Sequence, residues 1–455
     1  MPSPDALTRP RSLASTLPGN FSLGTIFGAI LVAGTPTGLT GQTPGEEVRS
    51  LAEHPAVQNA FRIIEELDPR TIRELIELTQ VPAPPFMEEE RARVYAEWMR
   101  EAGADSVFID EEGNAVAIRY GRGGERGRTP DGERRTVGFS GHLDTVFPAD
   151  VDVTVTQRGD TLFAPGIGDD TRGLMAVLTV LRALEAAGIE TEADVRFIGT
   201  VGEEGLGDLR GMKYLFREGA DPIHTWIDAD GTGLGRIVNK GLGSHRFRVT
   251  FRGPGGHSWG AFGLANPAHA LGRGIRHFQD VADTLTRSGP RTSYNVGRMG
   301  GGTSVNAIPF EAWMEVDMRS ESEESLGRID AAFRDAMQRA LEEENALRRD
   351  GPEIEVELDQ IGDRPSGEVD DNHPLVDRAI EVMRVFGAVP ALTRSSTDSN
   401  IPISLGIPAV TIGSGGIGSG AHSPGEWWIN RDGHLGIQAN LLLLVSEAGL
   451  AEPIP

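Results

Sequence analysis

Residues 136–144 (TVGFSGHLD), 168–188 (GDDTRGLMAVLTVLRALEAAG) and 195–205 (VRFIGTVGEEG) decide the fold of this 455-residue chain. The first and third stretches open as short apolar runs with strand character. The second repeats its apolar residues at helical spacing after Asp170 and stops at Gly188. Outward from this unit the alternation continues. Strand-like runs occupy 115–120, 225–227 and 409–413, and helical patterns occupy 56–68, 69–80, 88–102 and 374–386. Such alternation predicts an α/β catalytic domain, a mostly parallel sheet with helices on both faces.

One segment breaks the alternation. From 243 to 362 the pattern is strand (HRFRVTF), helix (267–286), a strand ending near 308, strand (AWMEVDMR), charged helix (321–349) and strand (EIEVELDQI). That β-α-β-β-α-β order is the ferredoxin-like arrangement, a complete small α+β domain. The expected organisation is therefore a catalytic domain in two pieces, 46–242 and 363–455, interrupted by an inserted domain at 243–362.

The amino terminus has a different character. Arg9 and Arg11 precede an apolar run at 21–33, too short to span a bilayer but of the length of a signal-peptide core, and small residues follow it. Residues 1–45 are read as a signal peptide or a disordered leader. The signal-peptide reading implies a periplasmic or secreted protein, and a cytoplasmic one is the alternative. Once such a leader is removed, no membrane association is expected.

Composition narrows the chemistry. Lys and Arg total 43 against 67 Asp and Glu, a net charge of −24, which disfavours nucleic acid and anionic membranes as partners. There is no cysteine, so no disulfide framework, thiol nucleophile or thiolate metal site exists. Any metal must be held by His, Asp and Glu.

The polar residues gather at strand ends. The run at 136–140 leads into Gly141-His142-Leu143-Asp144, that at 195–201 into Gly202-Glu203-Glu204-Gly205, that at 225–227 into Asp228-Ala229-Asp230-Gly231, and that at 409–413 into a glycine run ending at His422. Ligands of open α/β sheets bind at the carboxyl ends of the strands, so these four loops are expected on one rim, with Asp169-Asp170 at the head of the long helix. One acid beside a glycine is an ordinary turn or cap residue. Two histidines and several carboxylates at successive strand ends suit a zinc site with an open position.

Two competing motifs fail on context. GHSWG at 256–260 matches a nucleophile elbow and would make Ser258 the nucleophile of a serine hydrolase, but GPG separates it from its strand and the next helix starts near Pro267. GSGGIG at 413–418 has no helix after it, which argues against a dinucleotide site.

GHLDTVFP, DDTRG, TVGEEG, the Asp230 turn, GGTSVNAIP with DMRS, STDSN and GAHSPGEW occur in the order seen in a known family. Over residues 60–450 the chain resembles the co-catalytic dizinc metallopeptidases that include peptidase T, glutamate carboxypeptidase and related deacylases. The resemblance implies two zinc ions, with cobalt or manganese as substitutes. It implies His142, Glu204, Asp230 and His422 as ligands, with Asp169 bridging. Asp169 is taken because the first of the pair is the family's bridge, DDTRG standing where the family usually has Asp-Asp-Lys-Gly so that the Asp pair alone fixes the register, and Asp230 is taken for its DGTGLG continuation. Asp170 and Asp228 stay open as alternatives.

It further implies Glu203 as general base, Asp144 as the residue orienting the ligating imidazole, His257 as an oxyanion residue acting across a dimer interface, and Asn306 and Arg364 as substrate-binding residues. The implied activity is that of a peptidase T-like exopeptidase on short peptides, working as a homodimer through the inserted lid domain. An N-acyl-amino-acid amidohydrolase or carboxypeptidase on the same metals is the nearest alternative, and a non-catalytic metal-binding homologue is a further one.

Overall fold

The computed structural model describes residues 43–451. All but the last three residues of the expected leader therefore lie outside the described residues. Thr43 caps the first helix, Pro44–Glu53, in a capping box: its hydroxyl accepts the Glu46 N–H at 3.3 Å and the Glu46 carboxylate accepts the Thr43 N–H at 2.9 Å.

Four neighbouring strands, Asp194–Thr200, Thr136–His142, Thr225–Ala229 and Ala409–Ile412, run parallel and form the centre of a nine-stranded sheet. An antiparallel pair, Ser106–Ile109 and Ala115–Arg119, extends one edge. Arg236–Gly241 runs antiparallel on the other edge and carries Gly367–Glu368 and Ala391–Ser395. Every residue of Thr136–His142 is buried, as a strand covered on both faces requires.

On one face Phe139 meets Phe197 edge-on at 6.0 Å. On the other, Trp226 lies over Gly138, where a Cβ would come within 2.3 Å of its ring, and Phe216 packs edge-on against it at 5.6 Å. Gly138 is thus required by a close approach rather than by its backbone angles.

Sequence reading places two helices at 56–68 and 69–80, whereas the structure has one, Pro55–Thr79, with Pro69 inside it. Phe61, Ile64, Thr71 and Leu75, on both sides of Pro69, form one buried face. That face packs on the helix Arg172–Ala187, where the Thr71 and Thr179 hydroxyls lie 3.0 Å apart. Packing outweighs the lost proline hydrogen bond. Helix Arg172–Ala187 ends at Gly188 in the left-handed region, φ 65°, as its glycine predicts.

The inserted segment forms strand Gly243–Arg252, helix Pro267–Leu285, strands Thr292–Gly301 and Glu311–Ser320, helix Glu323–Leu347 and strand Glu355–Arg364. The four strands make an antiparallel sheet in which, numbering by chain order, the sequence across the sheet is 2-3-1-4. Its own core contains Phe247, Phe251, Phe278, Met314 and Phe333. The strand expected to end near 308 is instead Thr292–Gly301. Residues Ala307–Ile308 leave that sheet and pair with Gly256–His257 in a separate two-stranded ladder. Among the described residues no helix is long and apolar enough to cross a membrane.

Candidate metal centre

Three of the parallel strands end side by side and deliver polar groups to the same rim, and a turn outside the main sheet adds another. His142 is the last residue of its strand and is buried. Asp230 follows Thr225–Ala229 and is held there by its N–H, which donates to the Ile412 carbonyl at 3.1 Å. Glu203 and Glu204 follow Asp194–Thr200, and both their N–H groups donate to the Asp144 carboxylate, at 3.0 and 2.8 Å. His422, at φ 64°, comes from the turn between strands Ile417–Ser419 and Trp427–Ile429. These two belong to a small four-stranded sheet with Thr156–Arg158 and Thr161–Phe163 that sequence reading does not foresee.

Three groups of potential ligand atoms result, the atoms of each within 4.8 Å of one another: His142, Glu203 and Glu204; His142, Asp169 and Asp230; and Asp169, Glu204 and His422. The last two are joined by a common carboxylate, Asp169. Its Oδ1 lies 3.1 Å from His142 Nε2 and its Oδ2 3.2 Å from His422 Nε2. His422 Nε2 also lies 2.9 Å from Glu204 Oε1. Each of these two groups offers one imidazole nitrogen, one unshared carboxylate and one half of a shared carboxylate, a donor set of N and O ligands that fits a pair of zinc-class ions.

The electrostatics follow from crowding. Burial opposes charge on His142, but hydrogen bonds to Asp144 and Asp169 lift its pKa well above the usual value. Hydrogen bonds to Asp169 and Glu204 push His422 up to about 10. Burial raises Asp169, yet the two imidazoles win and hold it below the carboxylate range. Burial and the nearby Asp169 push Asp230 up to about 6. Burial also drives Glu203 well upward, against the pull of Arg364.

The alternatives within the acid pairs have other partners. Asp170 accepts the His142 N–H at 3.0 Å and the Gly173 N–H at 3.1 Å, tying the helix start to the central strand. Asp228 is buried within the strand, two residues before Asp230, and accepts from the Ser140 and Thr411 hydroxyls at 2.7 and 3.2 Å.

Three expected roles sit differently. His142 Nδ1 faces the backbone carbonyl of Asp144 at 3.0 Å, while the nearer carboxylate oxygen is 3.7 Å away. The Asp144 carboxylate is occupied by the Glu203 and Glu204 amides, so it shapes the glutamate turn as much as the imidazole. Arg364, expected on substrate, is buried with Nη1 3.0 Å from Glu203 Oε1 and 2.9 Å from Ser396 Oγ, and Nη2 donating to the Glu203 carbonyl. Its fork is already taken. His257 and Asn306 are brought near each other, since the Ser258 N–H donates to the Asn306 carbonyl at 2.9 Å, but neither lines the cleft over Asp169. Ser258 lies with them, remote from the acids.

Two residues escaped sequence reading. Glu426 accepts the Gly166, Gly168 and Asp169 N–H groups at 2.7, 2.8 and 2.9 Å and so fixes the loop that presents Asp169. Its signal was its place four residues after His422. Asp398, in the STDSN stretch, is buried, accepts from the Thr200 hydroxyl and is pushed up to about 7 by burial. No spacing marks it, because its neighbours are brought by other strands.

Comparison with known proteins follows the same lines. The model of the peptidase family M20/M25/M40 matches residues 138–445. A Bacillus subtilis protein, uncharacterized protein YqjE, is 26% identical over 360 residues, spanning 76% of this chain and 90% of its own length. A probable succinyl-diaminopimelate desuccinylase of Staphylococcus aureus is 25% identical over 229 residues, 43% of this chain and 56% of that protein. The crystal structure of aminopeptidase PepT from Bacillus cereus superposes with a TM-score of 0.63 at 22% identity, covering 84% of this chain and 98% of that one. This last likeness speaks to the fold.

Proposed function

The chain belongs to peptidase family M20/M25/M40, metal-dependent hydrolases of amide bonds, and from that premise we propose a dizinc exopeptidase that cleaves short peptides. The observation that carries the reading is the position of Asp169, one carboxylate oxygen toward each histidine. His142 and Asp230 would hold one zinc, Glu204 and His422 the other, and Asp169 both. Zinc bound there supplies Lewis acidity, lowering the pKa of a water and polarising the scissile carbonyl.

The remaining chemistry belongs to side chains of this chain. Glu203 is the general base: its carboxylate takes a proton from the attacking water and delivers it to the leaving amine. Burial suits it to this exchange, because a carboxylate with a raised pKa is a stronger base and a ready donor once protonated. Arg364 holds Glu203 in place from Nη1. Glu426 keeps the Asp169 loop in position through its three amide contacts.

His257 and Asn306 act from a second copy of the chain. They stand on the lid beside Trp259 and Val305, both exposed to solvent, a surface suited to pairing with another lid.

Amidohydrolysis of N-acyl amino acids is the second reading, favoured by the desuccinylase among the relatives. Assay of the zinc- or cobalt-loaded protein on free di- and tripeptides beside N-acyl amino acids tests both. Cleavage of the free-amine peptides, abolished by a chelator and restored by metal, is the expected result. Preference for the blocked substrates selects the second reading, and turnover indifferent to chelation removes both.

A further inference from the structure

The cleft above Asp169 has a volume of about 640 Å³, and five arginines line it: Arg236, Arg246, Arg319, Arg364 and Arg394. In a chain whose net charge is −24, this lining is unusual in carrying as many arginines as carboxylates. The cleft's five carboxylates, Asp169, Glu203, Glu204, Asp230 and Glu426, balance the arginines only in the metal-free protein. Two divalent ions on the ligand set would leave the lining cationic.

The arginines differ in what they already hold. Arg364 is spent on Glu203 and Ser396. Arg394 donates to the Gly241 and Gly367 carbonyls and lies 3.2 Å from Glu368. Arg246 and Arg319, from neighbouring strands of the lid sheet, share the single carboxylate of Asp317 through their Nε atoms, at 3.0 and 2.7 Å. Arg246 also donates from Nη1 to the Gly205 carbonyl, whereas neither Nη of Arg319 has a protein partner among the described residues, so Arg319 keeps a free fork for one substrate carboxylate.

Arg236 is the remaining cation. It opens the strand Arg236–Gly241 of the catalytic sheet and is exposed, and its side chain makes no hydrogen bond or ion pair with any described residue. Its guanidinium reaches over the turn after Asp230, where a Cβ built on Gly231 would lie 3.6 Å from Nη1. The cleft thus offers two uncommitted cationic points on different layers, one on the lid and one on the catalytic domain.

Resting on the amide-hydrolase reading above, we propose that the substrate carries two carboxylates and that Arg236 selects the second one. A peptide or acyl amino acid with an acidic side chain, or an amide of a dicarboxylic acid, has this chemistry. The competing role for Arg236 is to screen Asp230 alone, which would affect every substrate equally.

Matched substrates separate these, with Glu against Gln on either side of the scissile amide. The wild-type enzyme is expected to favour Glu at least tenfold in kcat/KM at one of the two positions, which also identifies the side Arg236 serves. Arg236→Gln brings that ratio toward one and Arg236→Glu inverts it, at unchanged zinc content. A wild-type ratio near one, a ratio unmoved by both variants, or loss of zinc in Arg236→Gln overturns the proposal.

Calorimetry with glutamate and glutamine reads the subsite without turnover. Tighter binding of glutamate, weakened tenfold in Arg236→Gln, upholds the subsite even if no amide is cleaved, in which case the hydrolase reading is the one that fails. Equal binding of the two by wild-type protein counts against the subsite.

Discussion

Asp169 and its neighbour illustrate how little separates a proposed ligand from a structural acid. Adjacent on the chain and both within the site, they differ in what faces them: two imidazoles for Asp169, two backbone amides for Asp170. Glutamates 203 and 204 part in the same way. Glu204 faces His422, and Glu203 faces Arg364. Glu203→Gln should therefore lower kcat by about 10²–10⁴, the usual contribution of a positioned proton carrier. Zinc content measured on the same preparation is expected to stay at the wild-type level, since Glu203 is in neither group that shares Asp169. Loss of zinc in the variant would assign Glu203 to the metal instead. The acid pairs were visible in the sequence. Which member of each pair turns to the rim depends on strand register and on hydrogen bonds from residues up to 260 positions away, as between Gly166 and Glu426.

Elements were legible where their pattern was periodic and least so where packing overrode it. The central strands and the helix ending at Gly188 carry unbroken signals. Pro69, a breaker in the sequence, sits inside a helix because a continuous apolar face holds both halves. The edge strands Gly367–Glu368 and Ala391–Ser395 are too short or too polar to announce themselves.

One contact within the inserted segment gives an element-scale prediction. His245, in the lid's first strand, places Nδ1 2.8 Å from Asp330 on the helix Glu323–Leu347, with Arg334 2.7 Å from the other Asp330 oxygen and Asp363 3.5 Å from His245 Nε2. The hydrogen bond to Asp330 raises the His245 pKa. Burial raises Asp330, but that bond and the Arg334 guanidinium together outweigh it and leave Asp330 lowered. Stability from the histidine is fully present below its unfolded pKa of about 6.5 and is lost as pH rises through its raised folded value. Stability from the aspartate is present above about 3.9 and lost as pH falls through its lowered folded value. Between those limits His245→Gln should cost about 1–2 kcal/mol. Denaturant unfolding at pH 5.5 and pH 9 checks the sign: the gap between variant and wild type should shrink at the higher pH, and an equal gap at both would refute the ion pair.

At the scale of the whole molecule, the described residues form two hydrophobic cores. One runs through the main sheet and its helices, and the other through the lid sheet. The cleft lies where the two meet, lined by Glu203 and Asp230 from one and Arg246 and Arg319 from the other. The lid surface around His257 explains why two expected site residues stand away from the acids. Trp259 keeps 87% of its surface exposed, and Phe262 and Phe310 are also exposed nearby in the chain. If a second lid covers this face, light scattering should find two chains at micromolar concentration, and Trp259→Asp with Val305→Asp should reduce this to one while lowering turnover. A monomeric wild-type protein with full activity would exclude the dimer.

The sequence alone determined the layered α/β architecture, the inserted β-α-β-β-α-β unit and the residues from which a metal site could be made. Those features are local: apolar periodicity, glycine stops and acids at strand ends do not depend on distant parts of the chain. Tertiary structure decided the partners. The sharing of Asp169 between two histidines, the capture of Glu203 by Arg364, the three amides on Glu426 and the gathering of five arginines above a carboxylate floor all join residues far apart in sequence. Side chains of one type look alike until folding assigns each its neighbours, and the neighbours set charge state, orientation and role.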